Sequence, residues 1–479
     1  MPIQSVKAAV RSAAEVWSLA WPTVITMMSY TTMQFVDSVM VAQIGAVELA
    51  AQGNGGVWTW TVMAFLVGAI TLVNTFVAQS VGAGETAAVA RYAWAGIWLA
   101  LGSWLVVLVP IGFFALPWAF SWMDHPPAMQ AMEVQYAQIL MAGGCVTLVG
   151  KAVSNFFFGI GRPKIVTLAA IVGNIVNLVL NYVFIFGAAG LPDHGLPGIP
   201  GIPAMGVAGS ALATVIGTAV ECAIPLCVFL GPTMARTYST RTLWRPSRAA
   251  IKDLIRVGWP ASLQFGNEMF CWSVFMTVLV GTFGTAHLAA GWIVLRYMHL
   301  SFMPAVGFSI ATATLVGRSI GAKQPELAAR YARTAVWMSV LYMSAWAVLM
   351  VVFREPMVRL FTNPAEVGAA SADQVVEIAS RIMICAAIFQ AFDAVGIIYT
   401  GALRGAGDTL WPGIIVVTLS WVVIVGGGWW IANAFPELGS LGPWIGSTIY
   451  IIAIGGSMAW RFERGPWRTH QLIRHASPK

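Results

Sequence analysis

Charge is scarce in this sequence. Of 479 residues 19 are acidic and 26 basic, so 9% are charged against 58% hydrophobic, and the mean hydropathy is +0.77. A soluble domain carries about a quarter of its residues as Asp, Glu, Lys or Arg, so a water-facing globule is excluded. Cysteine is also sparse: the five (Cys145, Cys222, Cys227, Cys271, Cys385) all lie in apolar runs without CxxC spacing. They read as small core residues, which implies neither disulfides nor a metal site. The short glycine patterns Gly82-Ala-Gly84 and Gly405-Ala-Gly407 lack the Lys-Ser/Thr of a phosphate loop. Tight turns are expected there, with no nucleotide drive and no cofactor. No secretory signal is evident, because the first apolar run is longer than a signal core and flows into further spans without a small-residue cleavage site; it reads as an uncleaved first span.

What the chain has in abundance is apolar segments long enough to cross about 30 Å of hydrocarbon as helices. Their expected positions are 16–41, 56–79, 94–118, 133–156, 165–187, 206–231, 258–281, 289–316, 334–353, 376–400, 410–432 and 441–460, twelve in all. The fold class is therefore all-α, a polytopic membrane protein. With the N-terminus in the cytoplasm, 22 of the 26 basic residues fall on the inner side, Lys151 and Arg404 counted among them. Only Arg354 and Arg359 fall outside, and Arg296 and Arg381 lie within spans. That asymmetry places both termini in the cytoplasm, and it accounts for the net charge of +7 without nucleic acid.

The chain repeats itself. SVGAGETAAVARYAWAGIW (80–98) matches SIGAKQPELAARYARTAVW (319–337) at an offset of 239 residues. Trp21-Pro22 answers Trp259-Pro260, Gly45 with Leu49 answers Gly284 with Leu288, and Gly159-x-Gly161 answers Gly405-x-Gly407. Six spans per copy make the two copies parallel, a transporter architecture. The expected division is a six-helix bundle over 1–231, a basic cytoplasmic linker over 232–257, a second bundle over 258–460 and a basic tail over 461–479.

Four acids fall inside spans: Asp37, Glu221, Glu268 and Asp393. A charge at bilayer depth costs at least about 2.5 to 3.5 kcal/mol, so such residues usually face a polar cavity and handle ions or protons, the alternative being a structural acid bonded to a neighbour. Tyr30, Gln34 and Asp37 fall at i, i+4 and i+7, Gln264 and Glu268 at i and i+4, and Gln390 and Asp393 at i and i+3, which puts each set on one helix face. Asn174, Asn177 and Asn181 do the same in the fifth span, lining a hydrated wall or bonding between helices. Glu221 has no evident partner. Arg381 sits one turn after Glu377 and is expected to pair with it, while Arg296 and His299 either bias a cavity's charge or snorkel. Most of the 22 tryptophans and 22 methionines read as interfacial anchors and packing; Trp272, Phe275 and Phe389 are candidates for an aromatic cargo pocket.

FVDSVMVAQIG (35–45), VAQSVGAG (77–84), GIGRPK (159–164), GWPASLQFGNEMF (258–270), LVGRSIGA (315–322) and QAFDAV with GALRGAGDT (390–409) together resemble the multidrug and toxic compound extrusion (MATE) family in its NorM-like branch, in order and over nearly the whole chain. The resemblance implies two six-helix bundles in a V that export small organic cations in exchange for inward protons or sodium ions; a bacterial inner membrane is the expected location and a monomer the expected form, with the oligomeric state open. It carries the cation and proton-binding roles onto Asp37, Glu268 and Asp393, with Glu268 and Asp393 as candidate sodium ligands. NorM-like members often have a tyrosine one turn before the last acid, where this chain has Phe389; proton and sodium coupling both stay open. A flippase of a lipid-linked precursor is the alternative transporter reading, for which a more cationic cavity is expected. A membrane enzyme would need a nucleophile or metal constellation that the sequence does not display.

Overall fold

The structure is a computed structural model that describes residues 3–123, 125–191, 197–362, 369–469 and 472–473. Its elements are α1 (Ile3–Ala42), α2 (Ala46–Ala83), α3 (Thr86–Ser121), α4 (Pro127–Gly159), α5 (Pro163–Ala189), α6 (Gly206–Phe229), a short α7 (Pro232–Tyr238), α8 (Arg248–Phe283), α9 (Thr285–Gly321), α10 (Pro325–Val352), a short α11 (Arg354–Arg359), α12 (Ala369–Ala406), α13 (Leu410–Ala434) and α14 (Leu441–Arg464). Eleven of these are long and apolar enough to cross a membrane, and α1 contains the first expected span, 16–41. The protein is an all-α polytopic membrane protein, with no strand among the described residues. The stretch expected as a linker, 232–257, is largely helical: α7 lies within it, and α8 begins at Arg248, ten residues before the expected seventh span. Trp94 and Trp98 of α3 donate their indole N–H groups to the carbonyls of Thr240 (2.7 Å) and Trp244 (2.8 Å), which pins the segment between α7 and α8.

The helix ends explain the glycine patterns. At the end of α2, Gly84 turns left-handed (φ 77°), and the N–H groups of Gly84 and Glu85 reach back to Val81 and Ser80. This 6→1 closure satisfies carbonyls that the helix would otherwise leave open. The same closure ends α9, where Lys323 takes the left-handed position (φ 58°) and Gln324 N–H bonds Ser319 O at 2.8 Å. Lys323 stands 239 residues after Gly84, at the repeat offset. The two halves thus stop equivalent helices by one device, with a residue of the unsuited type in the second copy.

Two compact units result. One holds Ile25–Ser262, and the other holds Leu263–Leu472 with the part of α1 up to Val24. The packing order within each is the same. In the first, α2 packs on α3 and α4, and α4 packs on α6; in the second, α9 packs on α10 and α12, and α12 packs on α14. Both α1 and α8 pass from one unit to the other inside a continuous helix, shortly after Pro22 and Pro260. A proline there removes an i→i−4 hydrogen bond and loosens the helix at that turn. In the first unit Gly173 of α5 and Gly217 of α6 face one another, and a Cβ on either would fall within 2.9 Å of the other's carbonyl oxygen. Small residues let these helices approach closely. Segments with i→i+5 hydrogen bonding interrupt four of the helices: Trp104–Leu108 and Ile111–Ala115 in α3, Tyr182–Phe186 in α5, Phe275–Val280 in α8 and Ser420–Gly427 in α13.

Gly84 has open space around a prospective Cβ, so Gly84→Ala should cost only the left-handed backbone penalty, about 1 kcal/mol. Lys323→Gly should recover a similar amount. Thermal unfolding of both variants in detergent checks this: the two shifts should have opposite signs.

Candidate functional site

In the Ile25–Ser262 unit, Asp37 of α1 is buried and tied on both oxygens. Asn181 of α5 donates to Oδ1, and the Thr214 hydroxyl of α6 donates to Oδ2 at 3.4 Å. The network closes through Asn177, which accepts from Asn181 at 3.2 Å and donates to Thr214 at 3.4 Å. The close approach at Gly173 and Gly217 makes this possible, since Asn177 and Thr214 lie on the same pair of helices. Asn181 directly precedes the i→i+5 turn of α5, and its Oδ1 is buried without a hydrogen-bond partner. Asn174 binds Ser29 of α1 instead, donating to its carbonyl at 2.9 Å and to its hydroxyl. Gln34 is exposed.

A second polar group in the same unit joins α1, α4 and α6. Tyr30 donates its hydroxyl to Glu221, and the Lys151 ammonium lies 4.1 Å from the centre of the Tyr30 ring. Lys151, one of the charges on the inner side in the positive-inside count, lies within α4, eight residues before the helix ends at Gly159. A lysine near a span end reads as a loop charge in sequence; its cation–π seat on another helix is visible only in three dimensions.

In the other unit, Glu268 of α8 and Asp393 of α12 are both half-buried and lie within electrostatic range of one another. Arg404, also on α12, lies within electrostatic range of Glu268 and sits over the Phe265 ring, 4.9 Å from its centre. From sequence it falls between the expected spans 376–400 and 410–432 and reads as a loop charge. Tyr450 of α14 is buried within electrostatic range of both acids, and nothing in its apolar context IYIIAIGG signalled it. Beside Glu268, Asn267 is held by the i→i+5 segment of α13: it donates to the Ser420 hydroxyl and accepts from the Trp421 indole, both at 2.8 Å. That clamp fixes the rotation of α8 and hence the direction in which Glu268 points. Gln264 is buried one turn earlier.

The MatE family model matches residues 22–183 and again residues 265–430. The chain belongs to the MATE family. Multidrug resistance protein NorM of Burkholderia vietnamiensis is 28% identical over 473 residues, covering 98% of this MATE chain and 96% of its own. Multidrug resistance protein MdtK of Yersinia pseudotuberculosis is 29% identical over 467 residues, covering 94% and 95%. Among solved structures, a MOP superfamily transporter from Pyrococcus furiosus superposes with a TM-score of 0.83 at 21% identity over 94% of this chain and 95% of its own, which shows a shared fold.

Several residues expected to line a cavity of this MATE protein do not. Phe275 and Phe389 have no exposed surface and belong to one apolar core cluster, where Phe275 packs edge-on against Trp272 (5.3 Å) and Trp444 (5.2 Å). Trp272 packs against the same cluster. Helical spacing marks an apolar face but not whether protein or cargo covers it. Gln390, one turn before Asp393 on the same helix, has different surroundings. It is buried between helices, accepting from the Ser301 hydroxyl at 2.6 Å and donating to the Met350 sulfur at 3.6 Å. Arg381 pairs with Glu377 at 2.6 Å as expected, and Arg296 stands over the Phe361 ring at 5.6 Å with its side chain exposed. Among the described residues no group of three or more His, Cys, Asp or Glu side chains forms a metal cluster.

The burial of Phe389 yields a prediction. Phe389→Tyr would place a hydroxyl in apolar surroundings, at a cost of about 1 to 3 kcal/mol if it stays unpaired. Its unfolding temperature in detergent should fall, while the sodium dependence of dye efflux should match the parent's.

Proposed function

We propose that this protein is a secondary antiporter of the bacterial inner membrane that exports small organic cations in exchange for inward protons or sodium ions, with both termini in the cytoplasm. The observation that carries the reading is the arrangement of Glu268, Asp393 and Arg404: two half-buried carboxylates in mutual range, with one fixed cation nearby. At span depth the acids attract positive charge strongly, because the low dielectric magnifies Coulomb energies. Arg404 offsets one of the two charges and leaves about one to be met by a mobile cation. A coupling ion and a cationic drug then compete for the same negative site, and that competition is the coupling. The Asp37 network is a second candidate proton or ion site, since its acid is held by neutral donors only. The relatives named as multidrug resistance proteins support cationic drugs as cargo.

Dye efflux and drug resistance in a pump-deficient bacterial host test the assignment. Asp393→Asn and Glu268→Gln should each reduce efflux at least about tenfold at equal expression, the loss of one charge-assisted contact; wild-type efflux in both would sink it. Replacing sodium by a non-coupling cation at a fixed proton gradient identifies the ion.

A further inference from the structure

The cluster of Tyr30, Lys151 and Glu221 is absorbed by none of the roles above, and its composition matches the acid site of the other unit. Glu268, Arg404 and Tyr450 are an acid, a cation and a tyrosine on the first, fourth and sixth long helices of the second half, α8, α12 and α14. Tyr30, Lys151 and Glu221 are a tyrosine, a cation and an acid on the first, fourth and sixth helices of the first half, α1, α4 and α6. The fourth helix supplies the cation in both, while the acid and the tyrosine have exchanged helices. The register agrees as well: the Trp-Pro pairs are 238 residues apart, and Tyr30 and Glu268 are separated by the same 238.

The geometry is that of a carboxylate whose cation is parked and not locked. Glu221 accepts from the Tyr30 hydroxyl, but its charge is met at longer range by Lys151, whose ammonium rests on the Tyr30 ring and makes no ion pair of 4 Å or less with it. Lysine is a compact cation on a flexible stem, so it can withdraw. All three side chains are half-buried and not sealed in the core. An aromatic face beside a carboxylate is the chemistry that binds lipophilic ammonium and phosphonium ions. We propose that Glu221 and Tyr30 form a second organic-cation site, occupied at rest by the tethered ammonium of Lys151, which cargo must displace. This rests on the reading of the protein as a cation transporter but not on Glu268 or Asp393 as the site.

The experiment is equilibrium binding of ethidium to purified protein in lipid nanodiscs, carried out in a Glu268→Gln/Asp393→Asn background. If Lys151 holds the site in nine molecules of ten, Lys151→Met should tighten binding about tenfold. Lys151→Arg should leave it near the parent, and adding Glu221→Gln to Lys151→Met should abolish the gain. No gain with Lys151→Met, or a gain that survives Glu221→Gln, overturns the proposal. Should Lys151→Met not elute as a single species, Tyr30→Phe decides: it keeps the ring but removes the hydroxyl bonded to Glu221, leaving that oxygen to pair with the tethered Lys151 ammonium, so weaker binding supports the site and unchanged binding overturns it. Failure of the transport reading shows separately, as no gradient-dependent ethidium flux by the parent protein in proteoliposomes.

Discussion

An ionised group inside a membrane has no water to lean on and must be met by another part of the chain. Nearly every distinctive feature of this protein follows from that constraint. Asp37 is met by Asn181 and Thr214, which requires α5 and α6 to approach closely, which in turn requires glycine at 173 and 217. Glu221 is met by Tyr30 and by Lys151 at longer range. Glu268 has Arg404 within range, with the orientation of α8 fixed by Asn267 on Ser420 and Trp421. Each acid therefore ties several helices together, and its removal would be felt in packing as well as in charge.

The acids differ in how they are met, and the difference sorts their roles. The exposed pair of Arg381 with Glu377 lies on one helix and contributes at most a few tenths of a kcal/mol. Asp37 has neutral amide and hydroxyl donors, which orient a carboxylate without cancelling it. Glu268 and Asp393 lie in range of one another with Arg404 in range of Glu268, the pair on which the proposed cation site rests. Glu221 lies between these cases, with its single charge matched by a cation that it does not grip.

How much of this could be read from the sequence depended on the range of the interaction. Spans were legible because a run of apolar residues is a local property, and the Glu377–Arg381 pair was legible because both partners sit on one helix turn. The helix stops at Gly84 and Gly407 were legible as turns, since their hydrogen bonds reach back only five residues. Glu221 was not, because Tyr30 lies 191 residues away in the chain. Phe275, Phe389 and Gln390 were placed on the wrong surface for a related reason: periodicity names a helix face but not the neighbour that covers it. Lys151 and Arg404 were counted as inner-side topological charges because each lies near the cytoplasmic end of a span, where a basic residue is ordinarily topological. Tyr450 carried no signal at all.

The passage of α1 and α8 between units bears on how the protein is made. The chain is synthesised from its N-terminus, yet the unit that begins at Ile25 is still incomplete when the segment that looks like a divider has been added, since it runs on at least to Ser262. The other unit holds its first piece, the start of α1, through the synthesis of more than two hundred intervening residues. Neither unit can therefore finish as an independent translation product, and a break in the 239–247 connection would sever two fragments that each carry a piece of both. Maturation of the two units is coupled by the covalent path itself, before any cargo or gradient acts on them.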